Sequence, residues 1–144
     1  MAKESQGVIV YCSTVTVASG SVAGATANTI GEVVGWSGPS MTAAVIDVTN
    51  LVSTAKEKLV GVYDGGQVTL NVNMLVTDGG QQKCREMMAA RTRGSFTIQL
   101  STVRTSQKIH VKGYVTGINI TGSVDNKLSG DYTISVHGGA SIST

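Results

Sequence analysis

Charged and aromatic residues are both scarce in this chain of 144 residues. Charged residues make up 14% of the sequence and aromatic residues 4%, and the formal net charge at pH 7 is only +2. An average protein carries about 25% charged residues, and disordered segments usually combine high net charge with few apolar residues. The basic residues are scattered, which excludes a basic stripe of the kind that binds nucleic acid. The composition therefore indicates one globular domain over 1–144.

Cysteine and long apolar runs are lacking as well. Cys12 and Cys84 are too few and too far apart for a zinc site, which needs ligands paired at short spacing. We expect two reduced, buried thiols. No run approaches the ~20 apolar residues of a membrane-spanning helix, and the first residues lack the apolar segment of a signal peptide. The sequence predicts a protein made in the cytosol, with no membrane partner.

The chain does have regular alternation of apolar and polar residues, which is typical of half-buried strands. Between Lys108 and Thr121 the apolar phase changes near Gly113 and Gly117, which predicts a bulge that curves the sheet. About seven strands are predicted in all, at 8–17, 30–36, 43–48, 67–77, 95–101, 108–121 and 131–137.

One helix is predicted to interrupt the strands, at about residues 78–92. Asp78 can serve as the N-cap, with Gln81 three residues on as in a capping box. Cys84 and Met87 lie on one helical face, which we expect to rest on the sheet, and Gly94 is expected to end the helix. The predicted fold class is mainly β: an antiparallel β-sandwich or barrel with one flanking α-helix.

Residues that carry chemistry are not grouped in any pattern that predicts catalysis. His110 and His137 fall on the polar sides of predicted strands and are interpreted as surface histidines. A lowered thiol pKa at Cys84, between Lys83 and Arg85, is the less favoured alternative to a buried structural cysteine. We therefore predict no catalytic, cofactor-binding or metal-binding residues, and no cofactor.

Three segments, however, are similar to a known family. The stretches "IGEVVGWSGPS", "IDVTNLVSTAKEKLVGVYDGGQVTLNV" and "KGYVTG" resemble the major tail tube protein of long-tailed bacteriophages. The resemblance covers roughly residues 30–72 and 113–117. Its most specific elements are Gly38-Pro39, Ile46-Asp47-Val48-Thr49, Ser53, Lys56-Glu57 and Asp64-Gly65-Gly66.

The resemblance implies a tail-tube fold and a structural virion protein that is not an enzyme. Such subunits self-assemble into hexameric rings that stack into a hollow tube, through which DNA passes transiently and without specific binding. The implied partners are the chain itself and the tail tip, tape-measure, tail terminator and chaperone proteins. The implied location is the virion tail, assembled in the host cytoplasm.

The resemblance also implies surfaces that meet other subunits. A flexible N-terminal segment, the loop 17–29 and the loop 49–66 are the expected assembly elements. Ile46 to Thr49 is interpreted as the end of a strand, Ser53 to Leu59 as a turn or short helical segment that reaches a neighbour, and Asp64 to Gly66 as a tight turn. The predicted interface residues are Asp47, Thr49, Asn50, Ser53, Lys56, Glu57, Leu59 and Asp64.

A channel for DNA should not hold its cargo, because each phosphate neutralised by Lys or Arg adds a salt-dependent attraction. Lys108 and Lys112 are therefore expected to point outside or to pair with acids between subunits. The neutral polar faces of the strands are the candidates for lining the lumen. These residues are Gln67, Thr69, Asn71, Asn73, Thr97, Gln99, Thr133 and Ser135.

Two other functions remain open at this point. The nearer alternative is the tube subunit of a contractile tail or of a secretion-like system, which would have a sheath around it. The more distant one is a monomeric β-sandwich binding module, for which the few aromatic residues offer little contact surface. An enzyme is less favoured than either.

Overall fold

The computed structural model describes residues 8–13, 28–100 and 107–143 of the chain. The N-terminal segment, which was expected to be flexible, and most of the loop 17–29 lie outside these residues; both are expected assembly elements. The elements are β1 (Ile9–Ser13), β2 (Asn28–Ile30), β3 (Val33–Ser37), β4 (Thr42–Asp47), β5 (Lys58–Asp64), β6 (Gln67–Asn73), α1 (Gly79–Ala90), β7 (Gly94–Gln99), β8 (Lys108–Thr121), β9 (Ser129–Val136) and β10 (Ser141–Ser143).

Eight of these strands form one antiparallel sheet. Its order is β2-β1-β7-β8-β9-β6-β3, and β10 pairs with the first residues of β8. The two ends of this order, β2 and β3, are separated in sequence only by Gly31 and Glu32. Because two residues span only about 7 Å, the sheet must curl until its ends come together. The expected sandwich or barrel with one helix is confirmed, and it forms the body of the subunit.

The core lies inside the curl and comes from the predicted alternation. On β6 every second residue is buried, and β9 pairs with it so that Val68 lies opposite Ile134 and Leu70 opposite Tyr132. Paired residues of antiparallel strands point to the same face. The buried apolar set therefore runs continuously across β6 and β9.

The predicted bulge in β8 is confirmed. The register of β8 against β9 shifts between Val115 and Gly117, so that one additional residue of β8 is accommodated there. Before the shift, Val111 and Val115 are buried in the core; after it, Ile118 lies opposite Tyr132 on the same apolar face. The shift explains how one 14-residue strand follows a curved sheet without turning its apolar residues outward.

The helix forms as predicted at its start and differs at its end. The Asp78 carboxylate accepts a hydrogen bond from the backbone N–H of Gln81 at 2.9 Å, and Cys84 and Met87 are buried against the sheet. The helix ends at Arg91, whose backbone is left-handed with φ 54°, and not at Gly94. Gly94 starts β7, where a Cβ atom would lie 2.6 Å from the Met87 sulfur.

Gln81 has a role that a capping box does not describe. Its side chain is fully buried; the oxygen accepts from the Leu75 amide at 3.0 Å, and the nitrogen donates to the carbonyls of Asn73 and Gly31 at 2.9 and 3.1 Å. These bonds engage the backbone directly after β6. The predicted strand 67–77 is therefore wrong beyond Asn73, although the apolar alternation continues to Val76.

Other boundaries also differ from the prediction. The predicted strand 30–36 is divided into β2 and β3 at Glu32, where φ is 56°. β5 and β10 were not predicted as strands. Of the predicted strand 8–17, residues 9–13 form β1, and 14–17 lie outside the described residues.

Candidate assembly surfaces

Strands β4 and β5 form a two-stranded sheet of their own, which we call the arm (Thr42–Asp64). β4 directly follows β3, and β5 directly precedes β6, while β3 and β6 pair with each other in the body. The arm thus prolongs the β3–β6 pair beyond the body. Every residue of β4 is exposed, as are all those of β5 except Gly61.

The junction between arm and body, which we call the elbow, consists of 38–40, 64–66 and 138–139. Asp64 accepts a hydrogen bond from the Gly66 N–H at 2.9 Å, and Gly66 has a positive φ of 70°. This confirms the predicted tight turn that leads into β6. Only glycine adopts such a backbone at little cost.

The elbow is also closely packed. A Cβ atom added at Gly65 would lie 2.5 Å from the Gly138 carbonyl, and one added at Gly66 would meet the Ser40 carbonyl. One added at Gly139 would overlap the ring of Tyr63, which belongs to β5. Backbone and side chains from both sides therefore fill the junction, and the direction of the arm is determined within the subunit.

The loop at the end of the arm is a hydrogen-bonded turn. Asp47 accepts from the backbone N–H of Thr49 at 2.9 Å and from its hydroxyl at 2.5 Å, and the same hydroxyl oxygen accepts from the Glu57 N–H at 2.9 Å. The Thr49 side chain, then its backbone N–H, lower the pKa of Asp47. Asn50 accepts from the Val52 N–H at 2.9 Å, and the Ser53 hydroxyl accepts from the Asn50 N–H at 3.3 Å.

These hydrogen bonds divide the predicted interface residues into those that shape the loop and those that do not. Asp47, Thr49, Asn50 and Ser53 shape the loop, whereas Lys56 and Glu57 are exposed beside it. Ser53 to Leu59 was predicted as a turn or a short helical segment: the helical alternative is wrong, because residues 54–55 form a bend and Leu59 lies in β5. That this segment reaches a neighbour stays a prediction. All eight predicted residues nevertheless lie on one structural unit.

The arm displays its apolar side chains to solvent. Leu51 and Val52, in the turn at its end, are 106% and 88% exposed. In the body, by contrast, the apolar strand residues form a buried core. The other exposed large apolar residues of the arm are Val45, Ile46, Val48, Leu59, Val60, Val62 and Tyr63.

The predicted lumen residues of β6 and β9 form one surface, which we call the polar strip. Gln67 lies opposite Ser135 and Thr69 opposite Thr133, and all are exposed or half-buried. Asp131, opposite Asn71, adds a carboxylate and was not among the predicted lumen residues. The strip consists of Gln67, Thr69, Asn71, Asn73, Thr133 and Ser135.

Thr97 and Gln99 share this face of the sheet by register but are only 2% and 6% exposed. The Thr97 hydroxyl lies 3.0 Å from Nδ1 of His110, whose pKa is lowered by burial and then by Lys108. His110 is thus half-buried and not the surface histidine expected. Alternation identified the face of β7 but not that its polar side chains are covered, so these two residues do not belong with the strip.

Two lysines also lie on the face of the polar strip. Tyr114 of β8 is paired with Ser135, and Lys112 and Lys108 follow on the same side of β8 at intervals of two and four residues. Both lysines are half-buried. Both lysines share the face of the polar strip in the single chain, and their orientation to the outside or pairing with acids between subunits stays a prediction.

Across the described ranges, no three His, Cys, Asp or Glu side chains come together as a metal site, and no helix is long and apolar enough to span a membrane. Cys12 and Cys84 are free and buried, as expected. An open groove of about 260 Å³ beside β3 is lined by Val8, Val33, Val34, Gly35 and Trp36, without a titratable side chain.

The described residues form a curled β-sheet with a flanking helix and a projecting apolar arm, and the arm has no partner within this part of the chain. No known family profile and no curated protein sequence matches the chain. Solved structures do, and they belong to tails and injection machines.

A chain from the tail of an empty gene transfer agent particle, refined with C6 helical symmetry, superposes with a TM-score of 0.72 at 16% identity, over 99% of this chain and 100% of that chain. A chain of the SPP1 tail tube gives 0.64 at 10% identity, over 97% and 78%. A chain of the sheath-tube complex of the contractile injection system PVC gives 0.70 at 12%, over 96% and 88%. The chain has the tail-tube fold that the resemblance implied.

Proposed function

We propose that this chain is the repeating subunit of a phage-type tail tube: a structural virion protein, without catalysis or cofactor, that assembles into stacked hexameric rings. The single observation that carries the proposal is the apolar arm, held in a set direction by the elbow on a tail-tube fold. Large exposed apolar patches mark interaction sites. The arm, with the loop 48–57 at its end, makes the contacts between subunits; the expected loop 49–66 is a loop only up to residue 57, because Lys58–Asp64 form β5.

Neighbouring subunits in a ring join through the edges of their sheets. β3 pairs only with β6 among the described strands, and Val34 on it is exposed. A free strand edge invites pairing with another chain, and joining sheets around a ring removes such edges. We assign the edge of β3 and the groove beside it to the neighbouring subunit in the ring.

The polar strip lines the channel. Its six residues are uncharged, and Asp131 contributes a negative charge next to them, so this surface offers DNA phosphates no fixed cation. Lys108 and Lys112 lie on β8, the strand next to β9, on the same face as the strip, and in the ring they pair with acids of a neighbour. The remaining partners are the tail tip, tape-measure, terminator and chaperone proteins, and the tube is assembled in the host cytoplasm and resides in the virion tail.

Electron microscopy of the concentrated purified protein, alone and with tail-tip and tape-measure partners, tests the proposal. Rings or tubes with a central channel are expected. If none form under any of these conditions, the tube function is wrong. A contractile tube is the second candidate, supported by the similarity to the PVC chain; a sheath that copurifies with the tube would favour it.

Charge reversal at the arm tests the interface. In Lys56→Glu with Glu57→Lys, both side chains are exposed and the loop bonds of residue 57 come from its backbone, so the subunit should fold normally. We expect few or no tubes. The matched control is Lys83→Glu with Glu86→Lys, which reverses an exposed pair on α1, 3.1 Å apart, far from the arm in sequence. Normal tubes from the arm variant would refute the interface assignment.

A further inference from the structure

The two faces of the arm are both apolar. Val45 lies opposite Val60, and the next pair along the arm is Ile46 opposite Leu59. Successive strand residues point to opposite faces, so the first pair defines a Val face and the second an Ile face. Val45 and Val60 are 61% and 75% exposed, and Ile46 and Leu59 are 51% and 58% exposed.

An ordinary surface hairpin packs one face and leaves the other, polar, face in water. Apolar residues on both faces are typical of strands that are covered on both sides. An isolated two-stranded ribbon is, moreover, only marginally stable in water. The arm therefore has the composition of an element covered on both sides, yet neither side is covered in the subunit.

The body of the same subunit is not placed to cover these faces. The elbow is filled by Gly65 against Val136 and by Gly139 against Tyr63, so folding the arm back would have to break that packing. The covering surfaces must come from other molecules. In an assembly of identical subunits every arm meets the same surroundings, which makes further copies of this chain the occupants.

The two faces also differ. Next to the Val face pair, Asp47 lies opposite Lys58, whereas the Ile face continues into Ala44 and Gly61, where a Cβ atom would come within 3.4 Å of Ile46. The Val face is apolar and carries an opposite-charge pair. The Ile face is apolar, and the residues next to Ile46 and Leu59 on it are small. Two different surfaces call for two different contacts.

Resting on the tube function above, we propose that the arm is inserted between two further copies of the chain, one on the Val face and one on the Ile face. Each arm then joins three subunits. Loss of either face alone weakens assembly, because the remaining contact leaves the other face of the arm in water.

Face-specific substitutions test this. Val45→Ser with Val60→Ser and, separately, Ile46→Ser with Leu59→Ser should each leave the thermal unfolding of the body unchanged. Each should raise the protein concentration needed for tube formation by at least about tenfold, since each removes two apolar side chains from an interface. Met88→Gln, which changes an exposed apolar residue on α1, should assemble as the wild type does.

Photo-crosslinking identifies the partners. A benzophenone amino acid at residue 60 or residue 59 should give covalent dimers in assembled tubes, and the two sites should map by mass spectrometry to different surfaces of the partner. A chain that carries both should give trimers. Crosslinks to the arm's own chain, or to one shared surface, would overturn the inference.

The outcomes separate the two proposals. If the wild type forms tubes and one face tolerates its substitutions, the two-copy insertion is wrong while the tube function stands. If the wild type forms neither rings nor tubes, both proposals fail. Tube loss from both faces together with trimeric crosslinks supports both.

Discussion

The body and the arm are built from the same kind of strand but use it in opposite ways. In the body, alternate residues of β6 and β9 are buried against each other and their polar neighbours face outward. In the arm, adjacent residues Val45 and Ile46 are both exposed, on opposite faces. The body buries its apolar core within one chain, whereas the arm leaves its apolar residues exposed. Under the proposed function, stability and assembly are carried by different regions, which mutations can separate.

The sharpest test compares one leucine from each region. Leu70→Ala in the body removes a fully buried side chain and should lower the free energy of unfolding by about 2–5 kcal/mol. Leu59→Ala in the arm should change it by less than about 0.5 kcal/mol, because the side chain is exposed. Urea unfolding measures both, and electron microscopy should show fewer tubes for Leu59→Ala than for the wild type at the same protein concentration. A large loss of subunit stability in the arm variant would contradict the separation.

The next largest effect is expected at Gln81, which ties the body together. Gln81→Ala leaves the Leu75 amide and the carbonyls of Asn73 and Gly31 without their buried partner, at a cost of about 3 kcal/mol. Gln82→Ala is the matched control, since its side chain is exposed on the same helix. Equal denaturation midpoints for the two variants would show that these bonds contribute little.

The elbow links the two regions. A substitution in the elbow should therefore reduce tube formation more than it lowers the free energy of unfolding of the subunit. Gly139→Ala forces the Tyr63 ring to move and so changes the direction of the arm. We expect a subunit destabilised by about 1 kcal/mol that forms few tubes. Gly79→Ala, where a Cβ atom would meet nothing within 4 Å, is the control. Adding Tyr63→Ala to Gly139→Ala should restore part of the assembly, and a failure of Gly139→Ala to reduce tube formation would mean that the arm is not aimed by this contact.

The smallest effect concerns the turn at the end of the arm. The Thr49 hydroxyl and N–H lower the pKa of Asp47 below its usual value of about 3.9. A depressed carboxyl pKa contributes stability above the unfolded pKa, which is lost as the pH falls through the folded pKa. Carboxyl NMR should show a lowered pKa for Asp47 that rises in Thr49→Val. An unchanged titration in that variant would remove Thr49 as the cause.

Periodicity was sufficient where one strand face is buried and the other is not. It predicted β6, β7, β9, the bulge in β8 and the helix. An element that is buried on one side has apolar residues at a regular spacing, which the sequence shows directly. It missed β5 because Leu59, Val60 and Val62 do not alternate with polar residues. It also extended β6 too far, since the end of that strand is determined by Gln81, a tertiary contact that no local pattern reports.

The candidate surfaces were predictable to a similar extent. The resemblance directed attention to residues 46–66, all of which lie in the arm or its elbow, and alternation grouped the polar strip correctly. Alternation did not predict that Thr97 and Gln99 are buried. It indicates the face of the sheet on which a side chain lies, but not whether other residues cover that face. The apolar character of both arm faces follows only from the strand register.

The glycines of the elbow also determine at which step the conformational entropy of the arm is lost: during folding of the subunit or during assembly. Fixing the backbone of one residue costs roughly 1–2 kcal/mol, so a loop that became ordered only at the growing end of a polymer would weaken each addition. Here Gly65, Gly66 and Gly139 allow the arm to be set during the folding of each subunit. Subunits then arrive with their contact surface already shaped, and the binding energy of the arm can go into holding the polymer together.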